Sequence, residues 1–88
     1  QGYTVQPVSA FARGDSVRSL LKRTETGHVM IVVNVDTEPA TVQFQFDRPI
    51  TAVKPLFDSA EPADTGATGW QGTYTGEGVG VYRIEFAP

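Results

Sequence analysis

The chain predicts an all-β fold, a small antiparallel β-sandwich of about six to eight strands with immunoglobulin-like or Greek-key connections. Three features point there. Apolar residues recur with a period of two, turn chemistry interrupts them at intervals of about 8–12 residues, and no segment keeps helical apolar spacing beyond about one turn. The 88 residues fit a single domain, 1–88, large enough to fold alone but with little stability to spare.

Taken in order, "GYTVQPV" supplies a strand around Tyr3 to Val8, and "SAFAR" has at most one helical turn. "SVRSLLKRT", Ser16 to Thr24, is joined through "ETG" to "HVMIVVN". A glycine in so short a connection reads as a hairpin. The second run is apolar at every position from Val29 to Val33, which predicts a central strand covered on both faces. "ATVQFQFD" alternates strictly, sending Val42, Phe44 and Phe46 inward and Thr41, Gln43 and Gln45 to water. In "TAVKPLF", Pro55 lacks an amide donor and so belongs on an edge strand or over a bulge. "DSAEPADTGATG" holds no large apolar side chain and reads as a long polar loop, either mobile or a site of contact. "WQGTYT" and the closing "VGVYRIEF" flank a glycine-rich segment with the pattern of a hairpin. In the last strand Tyr82, Ile84 and Phe86 share one face, and Val79, Val81, Arg83 and Glu85 the other.

Composition narrows the function. A net charge of −3 argues against capture of nucleic acid or of an anionic membrane, both of which need a basic field. No apolar run approaches the ~20 residues of a membrane-spanning helix. There is no cysteine, which excludes disulfides, thiolate metal sites and a cysteine nucleophile. The chain starts at Gln1 without an initiator methionine, and excision from a longer protein is the expected reason.

Each candidate site has an ordinary structural explanation beside it. Asn34, Asp36 and Glu38 could do acid–base chemistry if burial raised one carboxyl. Their position in a turn before Pro39 favours local hydrogen bonding instead, with Asn34 bracing the end of a buried strand. His28 is the one histidine, so a triad or a multi-histidine metal site is impossible, and a solvated imidazole at a strand entrance is expected. Asp58, Glu61 and Asp64 could offer oxygen ligands to calcium, but their spacing is not that of an EF-hand, and a solvated acidic loop is the stronger reading. Arg13 to Asp15 spell "RGD", an adhesion tripeptide that here reads as turn chemistry. "GEGVG" precedes no helix and makes no phosphate-binding loop, so no cofactor is expected. Trp70 and Tyr74 fall on one face of a strand with Gly72 between them. Exposed, they would form a platform for sugar rings; buried, Trp70 would cap the core.

The order of these pieces resembles a known architecture. An Asn-terminated apolar strand ("VMIVVN") leads to a Glu-Pro turn, an alternating strand ("TVQFQF"), "AVKPLFD", a variable loop and a closing "GVGVYRIEF". From about Val17 to Phe86 the chain resembles the C-terminal β-sandwich domain appended to the catalytic barrels of many bacterial glycoside hydrolases. The resemblance implies a secreted or cell-surface parent that processes polysaccharide, with its catalytic carboxylates in a preceding barrel and none in this chain. The expected function is that of a non-catalytic accessory domain packing on and stabilising the parent's catalytic domain. The alternative is a carbohydrate-binding module that holds polysaccharide on Trp70 and Tyr74.

Overall fold

The structure is a computed structural model that describes residues 2–8, 16–25, 27–63 and 65–88. The "RGD" tripeptide, all of "SAFAR" and Asp64 lie outside the described residues. Seven strands are present: β1 (Tyr3–Pro7), β2 (Val17–Thr24), β3 (Gly27–Asn34), β4 (Ala40–Phe46), β5 (Ile50–Leu56), β6 (Gly69–Tyr74) and β7 (Val79–Phe86). They form two antiparallel sheets, one ordered β1-β4-β6 and the other β2-β3-β7-β5. This is the small all-β sandwich that the alternation predicts.

The core lies between the sheets. β4 sends Val42, Phe44 and Phe46 inward, as its alternation requires, and they meet Met30, Val32, Tyr82 and Ile84 from the larger sheet. A run of rings crosses the gap. Phe44 and Trp70 are cross-strand partners with centroids 4.4 Å apart, and Trp70 lies 4.5 Å from Tyr82 on the opposite sheet. Tilted ring pairs at such distances add roughly 0.5–1.5 kcal/mol each beyond the area they bury.

The hydroxyls of this aromatic layer are paired. Tyr74 donates to Tyr82 Oη at 2.9 Å, and Tyr82 donates to the Ala60 carbonyl at 2.8 Å. Burial pushes the Tyr74 phenol well above its ordinary range and raises that of Tyr82 as well, so each stays a neutral donor. Gly72 makes the arrangement possible, because a Cβ there would stand 2.3 Å from Tyr74 Oη.

Three sequence expectations change. The long polar loop is tied down at two points rather than free. Ser59 Oγ accepts from Val81 N at 2.7 Å, and Ala63 exchanges backbone hydrogen bonds with Gln71 at 2.7 and 2.8 Å. The second tie covers the outer edge of β6, where an unpaired strand would otherwise invite association. The glycine-rich segment before β7 is not a hairpin: β6 belongs to the smaller sheet and β7 pairs with β3 and β5, so the chain crosses between sheets. β4 and Ala63 already flank β6, leaving β7 no place beside it. β3 is central, as expected, but only Met30, Val32 and Asn34 are buried, while Val29, Ile31 and Val33 are half-exposed on the other face. β5 lies at a sheet edge, as Pro55 requires, and its bulge falls between Ile50 and Ala52.

Replacing Tyr82 with Phe strands the Ala60 carbonyl and takes away the acceptor for Tyr74. The expected loss is about 1–3 kcal/mol in a denaturant melt, with faster amide exchange at Ser59 and Ala60 than elsewhere.

Candidate functional site

Asn34 is fully buried at the end of β3. Its Nδ2 donates to the carbonyls of Glu38 (2.9 Å), Thr75 (3.1 Å) and Tyr74 (3.2 Å), and its Oδ1 accepts from Asp36 N at 3.1 Å. Asp36 Oδ1 in turn accepts from Thr37 N at 2.7 Å and Glu38 N at 3.3 Å. Two turns are thereby clamped together, so closely that a Cβ on Gly76 would lie 2.0 Å from the Thr37 carbonyl oxygen. The amide is consumed by structure, which is the bracing role expected of it.

The aromatic platform is not on the surface. Trp70 is 0 % exposed and Tyr74 3 %, because the face of β6 that carries both is the one turned toward the opposite sheet. A sugar cannot stack on either ring, and the binding role considered for this pair is withdrawn. Among the described residues Trp70 Nε1 has no hydrogen-bond acceptor. That costs about 1–3 kcal/mol, which the burial of the ring between Phe44 and Tyr82 offsets.

On the acidic loop, Asp58 and Glu61 are exposed. Among the described residues no three His, Asp or Glu side chains come together as metal ligands.

Two surfaces remain, and neither is evident from spacing alone. The first is the outer face of the four-stranded sheet. Directly opposed residues share a face, so the register generates one apolar row, Leu20–Ile31–Val81–Leu56. Val33 and Val79 pair beside it. Leu20 is 55 % and Val79 58 % exposed. Phe57 follows Leu56 at the sheet corner, 85 % exposed and with φ 55°. A bulky side chain in the left-handed region is rare and strained by about 1–3 kcal/mol. Basic side chains frame the row. Arg18 opposes Val33, while Lys22, Val29, Arg83 and Lys54 form the neighbouring line. These are four of the chain's seven basic residues, with Glu85 the nearby carboxylate, 4.0 Å from Lys54.

The second surface is a cleft of about 230 Å³ at one end of the sandwich, lined by Gly2, Leu21, His28, Phe46, Asp47, Arg48 and Phe86. His28 stands edge-on to Phe86, centroids 4.9 Å apart at 86°, and Arg48 lies 4.2 Å over the Phe86 ring. Arg23 is the cross-strand partner of His28. Partial burial, then Arg48 and Arg23, lower the imidazole below its ordinary 6.5.

Comparison of the chain with protein-family models, curated proteins and solved structures found no match. Geometry therefore carries the functional reading.

Asn34→Ala leaves three carbonyls without their donor and is expected to cost about 2–4 kcal/mol. Asn34→Asp should be worse at neutral pH, where a carboxylate would face those carbonyls. It should recover part of the difference from Asn34→Ala as pH falls toward about 4 and the acid protonates. Urea melts of both variants across pH give the comparison.

For His28 the unfolded imidazole binds its proton near 6.5, and the folded one only at lower pH. Within that window the unfolded state holds more protons. The contribution of His28 is therefore present above 6.5 and lost as pH falls. The Tm difference between wild type and His28→Gln should change with pH there and be flat above it.

Proposed function

We propose that the chain is a non-catalytic accessory sandwich of a glycoside hydrolase-like protein, packing on the catalytic domain of the same parent through the outer face of its four-stranded sheet. The observation that carries the reading is the Leu20–Ile31–Val81–Leu56 row, continued by Val33, Val79 and the strained, exposed Phe57. Water-exposed aliphatic side chains forgo about 25 cal/mol for each Å² left uncovered. A contiguous set on one face, rather than scattered single residues, marks a surface that another body covers.

The frame specifies what that body offers. Arg18, Lys22, Lys54 and Arg83 border an apolar strip on a chain whose net charge is −3. Its complement is an apolar ridge with an acidic rim, a pattern that fixes orientation more than it adds affinity. Phe57 supplies the anchor, since an exposed aromatic at an interface fills a pocket and carries a large share of the binding energy. A tethered partner meets the face at about millimolar effective concentration, so a contact with an intrinsic Kd of about 1 mM already holds the two together half the time. Polysaccharide cleavage belongs to the partner domain in this reading, and the sandwich contributes stability.

The test has two arms. In the isolated chain, Phe57→Gly removes the left-handed strain and should leave Tm unchanged or raised. In the full-length parent, Leu20→Ser with Val79→Ser and Phe57→Gly should lower the Tm of the neighbouring domain by several degrees, about 2–4 °C per kcal/mol for a domain of 150–250 residues. A parent without a catalytic domain, or an unchanged neighbour in the triple variant, overturns the reading.

A further inference from the structure

Every basic side chain among the described residues belongs to one of two places. Four frame the outer sheet face, and the other two, Arg23 and Arg48, meet around His28 at the end of the sandwich. That convergence is independent of the docking face. It involves a different surface, and its aromatic floor comes from strands that end there for reasons of core packing.

The cleft is built from both sheets. β4 contributes Phe46 and β7 contributes Phe86, with ring centroids 5.4 Å apart at 67°. β2 contributes Leu21, β3 contributes His28, and the turn after β4 contributes Asp47 and Arg48. Phe46 is buried, while Phe86 and Leu21 are only partly so, which leaves those two as an apolar floor open to a ligand beneath polar walls. We propose that this cleft binds a small monocarboxylate carried on a six-membered ring, with the carboxylate between Arg48 and His28 and the ring against Phe86 and Leu21.

Size, charge and preorganisation each support this ligand class. An apolar cavity of ~150 Å³ accepts benzene, whereas drug-sized ligands need about 300–1,000 Å³. At about 230 Å³ the cleft has room for one ring and its carboxylate. Arg48 and His28 line the cleft with the single carboxylate of Asp47, and Arg23 stands across the strand from His28, so the site suits a monoanion better than a neutral molecule. Asp47 is itself held in place: its amide donates to the Gly2 carbonyl at 2.8 Å. Arg48 is stacked on Phe86, and stacking engages the face of a guanidinium while leaving its N–H edge able to grip a carboxylate with two hydrogen bonds. The groups facing His28 are Arg23 from β2, Arg48 and Asp47 from the turn, and the Phe86 ring from β7. A bound anion opposes the two arginines, so His28 gains its proton more readily in the complex.

The chain has one histidine, and its imidazole Cε1–H gives a single NMR signal inside the cleft. The experiment titrates the 88-residue chain with benzoate, glucuronate, acetate and benzyl alcohol, following that signal and the Phe86 amide. Benzoate, glucuronate or both should saturate with a Kd of about 1 mM, and which of them does so separates an aromatic acid from a sugar acid as the source. Acetate, which lacks the ring, and benzyl alcohol, which lacks the charge, should bind at least tenfold more weakly. The saturating ligand should raise the His28 pKa and bind more tightly as pH falls from about 7.5 to about 5.5. Arg48→Gln, an exposed turn substitution that leaves the core intact, should weaken binding at least fivefold. Unmoved signals at about 20 mM of both acids, equal binding of acetate or benzyl alcohol, or undiminished binding by Arg48→Gln would each overturn the proposal. None of these outcomes bears on the docking face, where no variant in this experiment lies.

Discussion

The buried amide of Asn34 is the constraint on which the rest depends. It sits where β3 leaves the larger sheet, and its Nδ2 takes carbonyls from the following turn and from the end of β6 in the smaller one. The backbone joins in: Asn34 N donates to the Gly78 carbonyl and Glu77 N to the Asp36 carbonyl, both at 2.9 Å. These bonds are formed away from water, where a missing partner is far more costly than a present one is favourable. The amide thus determines where both sheets stop, and it sends the chain across the sandwich before β7 begins. The ring contacts of Phe44, Trp70 and Tyr82 can form only if the sheets are held in that relation.

A chain of this size has few apolar side chains to distribute, and their distribution carries functional meaning. Aromatic residues are concentrated between the sheets, where their large area does most for a small core. Aliphatic ones also occupy the outer face of β2, β3, β5 and β7. They are at most partly buried there, and Leu20 and Val79, with Phe57 at the corner, stay exposed to water. A sandwich stable by itself would gain from polar residues at those positions, as β4 shows with Thr41, Gln43 and Gln45. The two sheets therefore differ in their outer faces, that of β4 carrying polar side chains and that of the larger sheet an apolar row with a basic frame. The described basic residues follow the same division, around the apolar row and around His28 at the end of the sandwich.

Much of the fold was legible in the sequence because alternation reflects burial directly. The faces of β4 and β7, the β2–β3 hairpin and the edge position of β5 all follow from a side-chain period of two or from a proline without an N–H. The bracing role of Asn34 was legible too, since an amide between an apolar run and a proline-containing turn has few other uses. Misreadings arose where spacing is silent about what lies opposite. Trp70 and Tyr74 share a face in either reading, and only the position of the other sheet makes that face the inner one. "YTGEGVG" has hairpin chemistry, yet both sides of β6 are already occupied. The unbroken apolar run of β3 has the pattern of a strand covered on both faces, but among the described residues only one face is fully covered.

By itself, then, the sequence determined the class of fold, the sidedness of the alternating strands and the exclusion of cysteine chemistry, all of them properties of local composition and period. Tertiary structure decided which face became interior, and so placed Trp70 and Tyr74, the alternative sugar platform, in the core. It also gathered Leu20, Ile31, Val81 and Leu56 from four strands into one row, and Leu21, His28, Arg48 and Phe86 from four separate parts of the chain around one cleft. The reason is physical. Register and sheet order set which distant side chains become neighbours, and that information resides in backbone pairing between strands rather than in the spacing along any one of them.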